Sequence, residues 1–403
     1  ELIEKENINI VVTSYELARI DIDYLLKINW NIIVLDECHK IKNHKTVLYK
    51  NIIKLNSEYK WAATGTPVQN RPDELFNIFS WIDPIILGNR WAFRRIYFEI
   101  GRKYGKDNMV LGYKNLEQLH RIIRPYFIRR LTKEVAPELP DLNIYNRYVE
   151  MTPDQERVHN IIREEAFELI KKTSEYNETS EVGDLIKKHP QTDLIKGLYT
   201  IMQVVADAPE MLKESDSKLA LRFLSLFRDL SSPKIEELYD IVEEYLDEDP
   251  ENKILIFSRF ERVQRLIQAK LAPLSSISVI NGQMSPSQKH SSLSVFKQSP
   301  NTRILIASDS MNYGANCQEA SLVIQFDLPY NPAVYHQRNG RIHRIGTKHN
   351  ILNVINLISL NSIDEKIYDI LIKKETLSKK IIDASQKIED VFDFETSVKL
   401  LGE

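Results

Sequence analysis

The sequence predicts an α/β protein of two lobes, each a parallel sheet flanked by helices, with helical insertions between them. Three observations carry that expectation. Short β-branched runs bounded by polar residues recur at Ile8 to Val12, Ile32 to Leu35, Ile254 to Phe257, Ile304 to Ala307, Leu322 to Phe326 and Ile351 to Ile358, the pattern of strands buried on both faces. Helical periodicity fills many of the intervals between them, as open α/β sheets require. The runs also fall into two groups, one before residue 70 and one after residue 250.

At 403 residues the chain is too long for one ordinary core. The stretch 84–232 is poor in strand-like runs, and Leu116, Leu119, Ile122 and Ile123 before Pro125 predict a helix there. Pro137 and Pro140 interrupt the chain, and Thr152-Pro153-Asp154-Gln155 has the form of a capping box with proline at the first helical position. Residues 171–195, rich in lysine and glutamate, read as a solvated helix or loop. Ser362-Ile363-Asp364-Glu365 predicts a second capping box, opening a helix through about Ile382. The expected division is the later part of lobe one at 1–83, a helical protrusion at 84–131, a linker at 132–150, a second helical protrusion at 151–232, lobe two at 233–360 and a helical brace at 361–403.

Composition excludes some functions and leaves others open. An apolar fraction of 43% with 28% charged residues is that of a globular chain, and no apolar run approaches the ~20 residues that span a bilayer, so no membrane partner is expected. A net charge of −3 gives no global pull towards nucleic acid, so such binding would need local basic surfaces. Cys38 and Cys317, with no CxxC spacing, exclude a cysteine-based zinc site and fit a reducing compartment, either cytoplasmic or nuclear.

Two segments carry chemistry. The run Ile32-Ile33-Val34-Leu35 ends in Asp36-Glu37-Cys38-His39, which puts adjacent carboxylates at the carboxyl edge of a buried strand, where α/β sheets bind ligands. A nucleoside triphosphatase needs one carboxylate there to hold Mg²⁺ through its water shell and another to orient or deprotonate the attacking water. Asp36 suits the first task and Glu37 the second. One crossover helix further on, the Thr64-Gly65-Thr66 turn, read with His39, is the candidate for coupling nucleotide state to a polymer-binding face. The second segment is Gln337-Arg338-Asn339-Gly340-Arg341-Ile342-His343-Arg344-Ile345-Gly346. Arg341 and Arg344 lie three apart, so one helical turn would align two guanidiniums able to neutralise a transferring γ-phosphoryl group. Gln337 and Gly340 beside them are candidates for nucleotide contact.

The blocks DECHKIKN, ATGTPVQNRPDELFNIFSWIDP, IRRLTKEVAPELP, NKILIFSRF and DLPYNPAVYHQRNGRIHRIG stand in the order found in the Swi/Snf-like family of helicase superfamily two, and the resemblance covers nearly the whole chain. It implies two RecA-like lobes, the cofactors ATP and Mg²⁺, and double-stranded DNA and DNA-bound protein complexes as partners. Thr13, Ser14 and Tyr15 resemble the lobe-one segment that touches the DNA backbone, and Ser258 and Arg259 its lobe-two counterpart; such phosphate contacts position a motor without reading sequence. Gly314 and Asn316 are the best matches to the family's fifth motif, Gly314 for nucleotide and Asn316 for nucleic acid. Arg129, Arg130 and Lys133 resemble a basic linker between the lobes. Two departures stand out. The fifth motif's glycine-rich turn is replaced by Asp309-Ser310-Met311-Asn312-Tyr313-Gly314, and the DLPYNP and QRNGRIHRIG blocks lean towards prokaryotic or viral relatives.

The function this implies is an ATP-driven DNA translocase. No GxxxxGK[ST] stretch occurs, and the chain starts at Glu1, so the phosphate loop is expected upstream and the 403-residue chain alone is expected to lack ATPase activity. A strand-separating or RNA-directed motor of the same superfamily, and a nucleic-acid-binding scaffold that has lost hydrolysis, are the alternatives. What such a motor displaces is not written in these residues.

Overall fold

Burial on both faces governs the larger part of the fold. In the computed structural model, which describes residues 8–65, 71–103, 106–130, 132–176, 190–311 and 315–383, chain contacts separate two units. One runs to Ile128 and resumes at Lys374; the other runs from Arg129 to Lys373.

The first unit holds two parallel strands, β1 (Trp30–Leu35) and β2 (Ser57–Ala62), with Leu35 opposite Ala62. One face packs on Ile41, Ile52, Ile78 and Trp81. The other presents Ile32, Val34, Tyr59 and Trp61, all exposed, with Ile32 beside Tyr59 and Val34 beside Trp61. The strand expected at Ile8 to Val12 is absent: these residues have no regular structure, and Ile10 and Val12 are exposed. A β-branched run becomes a strand only where a neighbour takes its backbone hydrogen bonds, and no described strand does so here.

The region expected to be a helical protrusion, 84–131, is only partly helical. Helices Arg90–Tyr97 and Leu116–Ile123 form, but between them β3 (Phe98–Lys103) and β4 (Lys106–Tyr113) make an antiparallel hairpin. Phe98 sits edge-on to Tyr113 with ring centroids 5.0 Å apart, a cross-strand aromatic pair that fixes the register. A Cβ at Gly101 would stand 2.5 Å from Leu111 Cδ1, so a larger residue there would have to displace the end of that exposed leucine side chain. The core of this unit is completed by Leu377, Ile381 and Ile382.

The second unit is a six-stranded sheet in the order β5 (Leu142–Val149), β10 (Leu352–Ser359), β9 (Leu322–Gln325), β6 (Ile254–Phe257), β8 (Thr302–Ala307), β7 (Ser276–Ile280), parallel throughout. Alternation explains the two layers. Ile254, Ile256, Ile304, Ile306 and Ile324 face the helices Pro233–Glu248 and Glu261–Leu271, whereas Leu255, Phe257, Leu305 and Val323 face Phe296, Cys317 and Ile342. The expected linker 132–150 is corrected in part: Leu142–Val149 is a strand of this sheet, paired with β10 along its whole length.

The helices Pro153–Tyr176 and Pro190–Asp207 form the second insertion around Val158, Ile162, Leu198 and Val205. Its capping box is present, with Gln155 N–H donating to Thr152 Oγ1 (3.1 Å) and Thr152 N–H to Gln155 Oε1 (2.9 Å). The box expected at Ser362 is displaced by one residue. Ser362 Oγ accepts from Asp364 N–H, and Glu365 accepts from Asn361 N–H, made possible by a left-handed Asn361 (φ 55°). The helix Ile363–Asp383 follows. Beneath its start lies a buried ionic node, in which Lys234 Nζ donates to Asp207 (2.7 Å) and to Asp364 (2.6 Å). Burial alone would lower the Lys234 amine, but the two carboxylates outweigh it and hold the group above the ordinary lysine range.

Candidate functional site

Strand β1 delivers Asp36 to its carboxyl end, and the chain must turn at once to keep Cys38 inside. Glu37 therefore adopts a left-handed conformation (φ 49°, ψ 50°), a costly choice for a residue with a Cβ. Asp36 Oδ1 accepts the Glu37 N–H at 2.9 Å. The turn is clamped to the end of β2, where Ala63 N–H donates to Leu35 O (2.8 Å) and Cys38 N–H to Ala63 O (2.9 Å). These bonds bring His39, Glu37 and Thr64 together. His39 Nδ1 lies 3.0 Å from Glu37 Oε2 and 3.5 Å from Thr64 Oγ1, so the imidazole proton belongs on Nδ1, facing the carboxylate. Burial lowers the His39 pKa, against the pull of Glu37. Cys38 is an inert neighbour, its thiol pushed up to about 12 by burial and then by Glu37.

Asp36 is exposed at the strand end. Among the described residues no group of three or more His, Cys, Asp or Glu could hold a metal, so Asp36 can give a hydrated cation one carboxylate, with water and phosphate oxygens completing the shell. That fits Mg²⁺, which keeps several waters.

Tyr15, expected to touch the DNA backbone, is half-buried. Its hydroxyl donates to Asp36 O at 2.8 Å, and Lys40 Nζ lies 5.2 Å from its ring centre, so it braces the acidic turn. Burial raises its phenol well above the usual tyrosine range. Thr13 and Ser14 are exposed, and Ser14 caps the helix Tyr15–Ile20 through Leu17 N–H. Gly65 follows Thr64 in the same turn.

In the second unit the helix Pro332–Asn339 ends before the two arginines, so Arg341 and Arg344 lie on successive turns and not on one helical face. Gly340 has an ordinary helical φ of −66°, but a Cβ there would approach His336 O to 3.1 Å. Arg341 is buried, with Nη1 donating to Ala315 O (3.1 Å), and Arg344 Nε donates to Gly340 O (2.9 Å). Gln337 is half-buried on the helix. Asn316 accepts from Gln318 N–H at 3.1 Å, and Gln318 Nε2 donates to Arg344 O at 3.0 Å, which links the two segments.

Ser258 is corrected as a phosphate contact. It is fully buried, and its hydroxyl donates to Asp327 Oδ2 at 2.9 Å. Arg259 is exposed, and its N–H donates to the same oxygen at 2.7 Å. Arg129 and Arg130 are exposed. Thr66, Gly314 and the Lys133 side chain lie outside the described residues.

Sequence reasoning missed Asp327 and Arg338. Asp327 follows an apolar strand and could have been flagged as a buried strand-end acid; Arg338 was overshadowed by the two arginines beyond it. Its guanidinium is buried and donates to Gln325 Oε1 and Asp327 O, both at 2.8 Å.

The SNF2-related domain matches residues 3–225, and the helicase conserved C-terminal domain matches residues 233–346. Among similar proteins, the TATA-binding protein-associated factor BTAF1 of Arabidopsis thaliana is 25% identical over 416 residues, covering 94% of this chain and 20% of that protein. YwqA of Bacillus subtilis, which bears the name of an ATP-dependent helicase/translocase, is 27% identical over 400 residues, covering 96% and 40%. The chain thus spans well under half the length of these relatives. The SWI2/SNF2 ATPase core of Sulfolobus solfataricus in complex with dsDNA is 27% identical, with a TM-score of 0.46 and coverage of 94% of this chain and 74% of that one. The chain belongs to the SNF2-related family, its second part being a helicase conserved C-terminal domain.

Proposed function

We propose that the complete protein is an ATP-dependent double-stranded-DNA translocase of Swi/Snf type that acts on DNA-bound protein complexes. The observation that carries the reading is the turn after β1, where Glu37, in a left-handed conformation beside an exposed Asp36, is held by His39, whose Nδ1 also lies 3.5 Å from Thr64 Oγ1. Burial of Cys38 accounts for the left-handed backbone, but the turn alone does not require a histidine partner for the Glu37 carboxylate, and strained backbone of this kind is concentrated at functional sites.

In this reading Asp36 holds hydrated Mg²⁺ and Glu37 orients the attacking water, while His39 passes the position of Glu37 to Thr64. Mg²⁺ supplies charge neutralisation of the phosphates when bound. Arg341 and Arg344 neutralise charge on the γ-phosphoryl group, and Arg259 meets the DNA backbone.

The test is Glu37→Gln in the full-length protein. The amide keeps the size of the side chain and an oxygen to accept from His39, but cannot take a proton. ATP turnover is expected to fall by about 10²- to 10⁴-fold, with ATP and DNA binding retained. Unchanged turnover would refute the role of Glu37. In the same assay duplex DNA is expected to stimulate the wild type more than single strands or RNA do; the reverse order would favour the strand-separating or RNA-directed alternative.

A further inference from the structure

The turn after β8 departs from the glycine-rich form that the family resemblance leads one to expect, and the structure shows what holds it. Ser308 N–H donates to Ile280 O, Met311 N–H to Ser308 O, and Ser310 N–H to Ser308 Oγ, so the turn closes on itself. Lys289 Nζ donates to Ser310 O at 2.9 Å from the helix Pro286–Gln298. Asp309 points the other way. Its Oδ1 accepts from Arg338 Nε at 2.7 Å; the Asp309 side chain is 41% exposed and that of Arg338 is 2% exposed.

That guanidinium is already committed. Nη1 serves Gln325 Oε1 and Asp327 O, Nη2 stands 3.6 Å from Asp327 Oδ1, and the group lies 5.1 Å from the centre of the Phe257 ring. Asp327 in turn fixes the Ser258 hydroxyl and the Arg259 N–H. One planar cation therefore joins the loop after β6, the turn after β8, the end of β9 and the helix that leads into Arg341. Its five donors in a fixed fork make such a junction direction-specific. Arg338 has no freedom to follow Asp309 without disturbing Asp327 and the Ser258-Arg259 loop.

We infer that the Asp309–Arg338 ion pair is a positioning contact that transmits engagement of the Ser308–Met311 turn and of Arg259 to the Gly340–Arg344 segment, replacing the flexibility of a glycine-rich turn with a charged link. Asp309 and Arg338 are positioning residues, since neither is assigned a contact with nucleotide or DNA. The inference rests on the proposed translocase function.

The experiment is a double-mutant cycle in the full-length protein with Asp309→Asn, Arg338→Lys and both together, plus Asp309→Glu. Rates are read at saturating duplex DNA, with KM for ATP and Tm measured for each variant. Asp309→Asn is expected to lower the DNA-stimulated kcat about ten-fold, equivalent to ~1.4 kcal/mol, with KM for ATP and Tm unchanged. Asp309→Glu should recover most of the rate, and the double variant should be no slower than Arg338→Lys alone, because both act through one link. Full DNA stimulation in Asp309→Asn overturns the inference, as do multiplicative losses in the double variant or a loss of rate matched by a fall in Tm. A wild-type protein that DNA does not stimulate overturns the translocase function and this inference with it, whereas a stimulated wild type with an unaffected Asp309→Asn overturns the inference alone.

Discussion

Replacing Lys234 by methionine tests the electrostatics of the second unit most directly. The amine is almost completely buried and is the cation shared by Asp207 and Asp364, at 2.7 and 2.6 Å. Asp207 Oδ2 has no hydrogen-bond partner even with the lysine in place. Lys234→Met fills similar volume but leaves two carboxylates in the interior without their cation, and breaking a buried pair in this way costs about 3–5 kcal/mol. Domains are stable by only about 5–15 kcal/mol, so the loss is a large part of the total. Guanidinium unfolding, followed by a probe in the second unit, should show a lower midpoint at unchanged slope. The triple variant Lys234→Met, Asp207→Asn, Asp364→Asn should recover part of the loss, since it removes the two uncompensated buried charges. If the single variant cost under about 1 kcal/mol, as exposed pairs do, the desolvated character of the node would be refuted.

Two further tests follow from neighbouring geometry. His159 Nε2 accepts the Ile363 N–H at 3.1 Å, and burial lowers its pKa from 6.5 to about 4. The neutral ring is favoured in the fold, so its contribution is complete above pH 6.5 and is lost as pH falls towards 4, about 3 kcal/mol at 1.36 kcal/mol per pK unit. Urea midpoints of wild type and His159→Gln should converge as the pH drops through that window; parallel curves would refute the assignment. Tyr15→Phe removes the hydroxyl that donates to Asp36 O and should destabilise the first unit by about 1 kcal/mol, read as a small fall in Tm. A larger effect on DNA affinity than on Tm would support the DNA-contacting role expected from the sequence.

What the sequence disclosed follows from how local each signal is. The β-branched runs of the second unit became strands because each found a neighbour on either side, and the Thr152 capping box formed because its bonds span only three residues. Ile8 to Val12 has the same composition as those runs, yet no described strand pairs with it. Strands β2 and β5 escaped notice because SEYKWA and LNIYNRYV alternate with polar residues instead of running apolar. The acidic pair and the arginine segment were visible as motifs. The buried state of Ser258, the bracing contact of Tyr15 and the junction at Arg338 were not, because each depends on a partner 11 to 69 residues distant and on a side-chain direction that spacing alone does not fix.

The pairing of β5 with β10 sets the order in which this unit can be completed. The partners lie 210 residues apart, as the Asn143–Asn353 and Asn146–Asn356 side-chain contacts mark. During synthesis β5 emerges early with Ile144, Tyr145 and Tyr148 unpaired, and the strand it needs is nearly the last of the unit to leave the ribosome. At about 5–20 residues per second the wait is on the order of ten seconds or more, long compared with collapse. Non-local pairing of this kind slows folding and leaves a sticky edge waiting. Truncation anywhere before Leu352 would therefore strand β5 without a partner, and such products should be captured by chaperones or aggregate rather than persist as smaller folded units.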